Sequence, residues 1–124
     1  MEQLKIEKTK TSPMVDFNAE SGHLELSGRS IPEDSFSFYN PLLEWLREYA
    51  EQAKEKTHFK IYLEYFNTSA SKYILEILKV VKKIADTTLT IEWCYDEGDD
   101  EMMETGEDYE DIIGLEFVYS EIEE

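Results

Sequence analysis

The sequence holds one cysteine, Cys94, among 124 residues. That rules out an internal disulfide and any cysteine-based zinc site built from this chain alone. Its five glycines, at 22, 28, 98, 106 and 114, form no cluster that would let backbone N–H groups close on a nucleotide phosphate. No apolar run approaches the ~20 residues of a membrane-spanning helix. The first ten residues are charged and lack the apolar centre of a secretion signal, so a cytoplasmic protein is the expectation. Positive charge is also scarce. Twelve basic residues face 29 acidic ones, a formal net charge of −17. A surface this negative repels the phosphates of nucleic acids and anionic lipid heads, so neither nucleic-acid binding nor direct membrane binding is expected.

The shortage is local. All 12 basic residues lie at or before Lys83, where 13 acids nearly balance them; the remaining 16 acids fall after it, with no base among them. This last third is not a loose tail, because Trp93, Tyr95, Ile112, Ile113, Leu115, Phe117, Val118 and Tyr119 run through it. Its acids therefore belong on the solvent side of folded elements and in one loop. They can serve as a solvated face or as a docking surface that steers a basic partner.

The apolar share, 41%, is enough for a core, and the length fits one domain, 1–124. Leu4 and Ile6 suggest a short strand. Val15–Phe17 and His23–Ser27 alternate as a hairpin closed near Ser21-Gly22. Gly28 to Asp34 reads as a loop. Asp34 or Ser35 can cap a helix whose stripe is Tyr39, Leu42, Leu43, Leu46, Tyr49, Ala50 and Ala53. Pro41 sits in its first turns, where a missing N–H costs little. His58 to Phe66 is a strand alternating through Phe59, Ile61, Leu63 and Tyr65, and apolar Tyr62 and Phe66 imply cover on both faces. A second helical stripe runs through Ala70, Tyr73, Ile74, Ile77, Leu78, Val81, Ile84 and Ala85. Leu89 to Tyr95 is the next strand, Asp96 to Glu101 an acidic loop. Met102 to Ile113 is weakly helical and interrupted by Gly106, and Leu115, Phe117 and Tyr119 make the last strand. The order β-β-β-α-β-α-β-α-β implies one mixed α/β sheet, with an antiparallel N-terminal hairpin and a βαβαβ core packed by helices.

No catalytic constellation emerges. Calcium-loop spacing fails: Gly106 at the sixth position puts Met103 third and Ile112 twelfth, which supply no side-chain oxygen, and Gly98 there puts Trp93, Tyr95 and Glu97 first, third and fifth. His23 and His58 lack the partners of a metal site and read as surface or core-rim residues. Cys94 has no basic neighbour and reads as a buried, inert thiol. Trp45, Trp93 and the eight tyrosines read as core and core rim. No metal or other cofactor is expected. A rival reading makes the chain a small acidic metal-dependent enzyme or metal-binding protein using the carboxylates of 96–111.

One short element stands out. Asn67-Thr68-Ser69 falls where a strand ends and a helix begins, at the free N–H groups of a helix start. All three residue types favour helix caps. A phosphate there would carry about −1.5 to −2 charges and face the positive end of the helix dipole, so the same place also suits a phosphoacceptor.

The sequence resembles STAS-like domains such as the anti-sigma-factor antagonists, and is most similar to the SiaC family of bacterial regulatory phosphoproteins. The resemblance rests on Thr11–Phe17, Gly22-His23-Leu24, Gly28–Asp34, Phe38–Leu42 with Trp45, Tyr65–Lys72, and Trp93–Met102. It implies a non-enzymatic partner switch. Thr68 would be phosphorylated by a dedicated kinase and dephosphorylated by a PP2C-like phosphatase, with Asn67 and Ser69 as flanking residues. Ser71, Lys72, Tyr95 and Asp96 would touch a partner. The unphosphorylated form would bind and activate a diguanylate cyclase in cyclic di-GMP and biofilm signalling.

Overall fold

The computed structural model describes residues 1–84 and 88–123. Its elements follow the expected order: β1 (Leu4–Ile6), β2 (Met14–Asn18), β3 (His23–Ser30), α1 (Ser35–Glu51), β4 (Lys56–Phe66), α2 (Thr68–Lys82), β5 (Thr88–Asp96), α3 (Asp100–Ile113) and β6 (Val118–Ile122). Ala85, placed by periodicity at the end of the α2 stripe, lies outside the described residues.

The six strands stand in one sheet in chain order, β1 to β6. β1–β2 and β2–β3 are antiparallel; β3–β4, β4–β5 and β5–β6 are parallel. The hairpin turn is set locally. The Asn18 side-chain oxygen accepts from the N–H groups of Glu20 and Ser21 at 3.0 and 3.1 Å. Gly22 takes φ +76°, and a Cβ there would stand 2.2 Å from the Lys56 carbonyl, so only glycine fits.

Because each crossover steps the same way along the sheet, successive right-handed crossovers put their helices on one face. The core shows this. Val15, Phe17, Leu24, Leu26, Phe59, Ile61, Ile91 and Trp93 occupy one set of alternate positions and are buried together with Leu42 and Leu46 of α1, Ile74 and Ile77 of α2, and Tyr109 of α3. The opposite face carries the in-register row Lys5, Asp16, Glu25, Lys60 and Glu92. The cover on both faces expected from Tyr62 and Phe66 is therefore corrected. Tyr62 lies on the uncovered face, its hydroxyl donating to Asp96. Phe66 packs toward Tyr109 with ring centroids 6.4 Å apart.

A break in register causes that reassignment. Gly28 pairs with Leu63, but Arg29 pairs with Tyr65, so Glu64 is an extra residue in β4. Such a bulge reverses the alternation beyond it. Tyr65, expected in the buried phase, is 52% exposed. Three further boundaries differ. β3 continues through Gly28 to Ser30, shortening the expected loop. α3 runs unbroken through Gly106, where a Cβ would meet the Trp93 ring at 2.6 Å. The glycine is there for close packing rather than to end a helix. β6 starts at Val118, so Leu115 and Phe117 precede it.

Candidate functional site

The three helix N-termini follow the carboxyl ends of β3, β4 and β5, so they gather along one end of the sheet. Each has a side-chain cap. Asp34 accepts from the Ser37 N–H at 3.1 Å, Asn67 from the Ala70 N–H at 2.9 Å, and Asp99 from the Met102 N–H at 3.1 Å. Asn67 is also fixed from behind, because its own N–H donates to the Ser30 carbonyl at 3.1 Å. Cap duty in the Asn67–Ser69 element thus falls to Asn67 alone. Thr68 is the first residue of α2, and a cap role for its hydroxyl is excluded.

The first turn of α2 distributes its side chains by helical angle, about 100° per residue. Ala70 enters the core. Ser69 turns toward α1 and donates its hydroxyl to Ser35 Oγ at 2.7 Å. Ser71 turns toward α3: its carbonyl accepts from the Tyr109 hydroxyl at 2.9 Å, and its own hydroxyl donates to the Thr68 carbonyl at 2.6 Å. Burial pushes the Tyr109 hydroxyl up to about 12, so it stays a neutral donor. The remaining outward direction belongs to Thr68 and, one turn on, Lys72; both are exposed. Among the described residues, the Thr68 hydroxyl makes no hydrogen bond.

Electrostatically, α2 differs from its neighbours. α1 and α3 are capped by aspartates, and α3 adds Asp100 and Glu101 in its first turn. α2 has a neutral asparagine cap and no acid in its first turn. Its positive dipole end is left without a carboxylate. Around it stand exposed Tyr65 and, on the first turn of α1, Phe36 at 61% exposure. A groove of about 250 Å³ is lined by Tyr65, Phe66 and Met102 together with Glu64, Asp99, Glu101 and Thr105.

The other site expectations separate. Ser71 and Lys72 share the first turn or so of α2 with Thr68. Tyr95 lies at the end of β5 on the helix side, packed against the core. Asp96 lies on the uncovered face, bonded to Tyr62. The structure therefore does not gather all four into one patch. Cys94 is buried, and its thiol is pushed up to about 12 by burial and by the Glu92 carboxylate. His58 pairs with Glu92 at 2.6 Å. Of the 96–111 acids, Glu97, Asp100, Glu101, Glu104, Glu107, Asp108 and Asp111 are exposed. Among the described residues, no group of three or more His, Cys, Asp or Glu is placed to hold a metal ion. No described helix is long and apolar enough to cross a membrane.

Tyr109, Ser35 and Tyr65 were not singled out as site residues in the sequence. The first two join through tertiary contacts that spacing does not reveal; the third is exposed only because of the bulge.

Fold and site together define a two-layer α/β domain with an untethered hydroxyl at the head of its central helix. The chain belongs to the SiaC family of regulatory phosphoproteins, whose model matches residues 6–122. It is 23% identical over 119 residues to an uncharacterized protein of Pseudomonas aeruginosa strain UCBPP-PA14, covering 94% of each chain. It also superposes on SiaC of Pseudomonas aeruginosa. The apo crystal structure gives a TM-score of 0.83 at 22% identity, with 98% of each chain covered. A structure of the diguanylate cyclase SiaD in complex with its activator SiaC gives 0.85 at 21% identity, covering 98% of this chain and 99% of that one. The family and the fold class are those that the sequence implied.

Proposed function

We propose that this chain is a partner switch controlled by reversible phosphorylation of Thr68, and that its unphosphorylated form binds and activates a diguanylate cyclase. The observation that carries the reading is the placement of one hydroxyl. Ser69 and Ser71 have their hydroxyls engaged in the fold, while Thr68 presents its own to solvent. A kinase can reach it without unfolding the domain, and a PP2C-like phosphatase can reach the product.

The chemistry of the switch is local. Phosphate on Thr68 would bring about −1.5 to −2 charges to the one helix start that carries no carboxylate. The free N–H groups of that first turn and the Lys72 ammonium one turn on would hold it. The domain itself then tolerates the modification. A partner seated over Thr68, Lys72, Tyr65 and Phe36 meets a bulky dianion to desolvate. The SiaD complex of the related SiaC supports a cyclase as that partner.

The test is to map phosphate in cells by mass spectrometry and to measure affinity for the genomically neighbouring cyclase. The expected result is phosphate chiefly on Thr68 and about 100-fold weaker binding of the phosphorylated form, near 2.7 kcal/mol. Thr68→Ala should still bind. Equal affinity of both forms would end the switch reading.

A further inference from the structure

We infer that the free edge of β6 is a docking site for a β-strand of a basic partner, one that alternates apolar and basic residues. The site lies across the sheet from the β1 edge and is built from three features that do not depend on Thr68.

The first feature is unpaired backbone. β6 ends the sheet, and no described strand lies beyond it. Ile122 turns its carbonyl to β5, accepting from the Glu97 N–H at 2.9 Å. Alternation along a strand then directs the peptide groups of Tyr119 and Glu121 outward, where an added strand can pair with them. Edges of this kind are usually blunted by proline, lysine, a bulge or extreme shortness. β6 has five residues and contains no proline, lysine or bulge; its one charged side chain, Glu121, guards the edge against a second copy but not against a basic strand.

The second feature is rigidity. The Glu110 carboxylate accepts from the Phe117 N–H at 2.7 Å and from the Tyr119 hydroxyl at 2.8 Å. Gly114, at φ +70°, closes α3 in the left-handed conformation and gives its N–H to the Glu110 carbonyl. The edge is thus held ready, which lowers the ordering cost of binding.

The third feature is charge combined with exposed apolar surface. Val118 is 53% exposed and shares the uncovered sheet face with Ser120 and Ile122. On the helix side, burial and then the carboxylates of Glu110, Glu107 and Asp111 push the Tyr119 hydroxyl upward. Glu121 and Glu123 are exposed as well. No basic residue follows Lys83 in the chain. An incoming strand would set apolar side chains beside Val118 and Ile122, and basic ones beside the helix-side acids. Two copies of this edge would repel each other, so the same acids that select a basic partner oppose self-pairing.

The probe is a short peptide alternating valine and lysine, added to the full chain and followed by amide NMR shifts and titration calorimetry. A peptide of identical composition, with its lysines in one block and its valines in another, is the control for charge alone. The expected result is shifts centred on Tyr119 and Glu121, with the control binding at least about tenfold more weakly. Glu121→Lys should lose a similar factor through charge. Glu121→Pro should lose it by deleting one outward N–H, at an edge position where proline is tolerated. Circular dichroism of both variants should match the parent. Equal binding of the two peptides, no binding, or shifts centred elsewhere would overturn the inference. So would peptide-free self-association in ultracentrifugation, which would assign the edge to a second copy.

Discussion

The starts of α2 and α3 lie at the same end of the sheet, and their chemistries are opposite, although the two helices are tied together further along by the Tyr109–Ser71 hydrogen bond. α3 begins on three consecutive acids, Asp99, Asp100 and Glu101, and its dipole is answered by fixed charge. α2 begins on Asn67, with no acid in its first turn and an exposed threonine. One helix start is electrically complete, whereas the other can still be completed by an added group. The difference teaches that equivalent places in one row can be made chemically unlike without strain or burial, by leaving out a stabilising charge at one of them.

The largest test of the contrast concerns how the two helices pack. α3 reaches Trp93 through Gly106, with no room for a Cβ at 2.6 Å. Gly106→Ala gains about 1 kcal/mol in helix propensity but overpacks a fully buried tryptophan at about 1–3 kcal/mol. The expected sum is a net loss of up to about 2 kcal/mol in a denaturant melt. A rise in stability would show that propensity governs the position and packing does not.

Next in size is Asn67→Ala, which removes the α2 cap and should cost about 1 kcal/mol. Converting α2 to the α3 type by Asn67→Asp should instead stabilise by about 0.3–1 kcal/mol. That gain has a defined pH window. In Asp34, hydrogen bonds from the Ser37 hydroxyl and N–H hold the carboxyl below its usual value. A capping carboxyl lowered in this way stabilises the fold above its unfolded pKa of about 3.9, and the gain disappears as pH falls through the folded value. Melts of Asn67→Asp and the parent should therefore diverge near neutral pH and converge in acid. Convergence at neutral pH would mean that the α2 dipole is already answered.

The smallest effect should come from Thr68→Ala. Its hydroxyl makes no hydrogen bond among the described residues, so the loss should stay within about 0.5 kcal/mol. A loss as large as that of Asn67→Ala would return the cap role to Thr68.

The sequence made the order of elements legible because each carries its own period, from Phe59-Ile61-Leu63 in β4 to Ile74-Ile77-Leu78-Val81 in α2. The position of Thr68 at a strand-to-helix junction was legible for the same reason. What it hid was relational. The exposure of Tyr65 depends on one unpaired residue opposite β3, which no local period encodes. The helix-compatible role of Gly106 depends on a tryptophan from another strand. Choosing among three good caps at 67–69 required the Ser30 carbonyl, which anchors Asn67 and leaves Thr68 inside the helix. The single-faced cover of the sheet followed from crossover direction, whereas the apolar Tyr62 and Phe66 pointed the other way.

The agreement of strand order with chain order has a further consequence, for how the molecule assembles. Every strand docks on the one made just before it, so no early segment must wait for a distant later one. On a ribosome, the hairpin can template β4, then β4 with its helix can template β5. The acid-rich third arrives last, onto an apolar surface already formed. Its sixteen acids then condense against a nearly neutral scaffold rather than against one another, and collapse need not begin in the most self-repelling stretch of the chain.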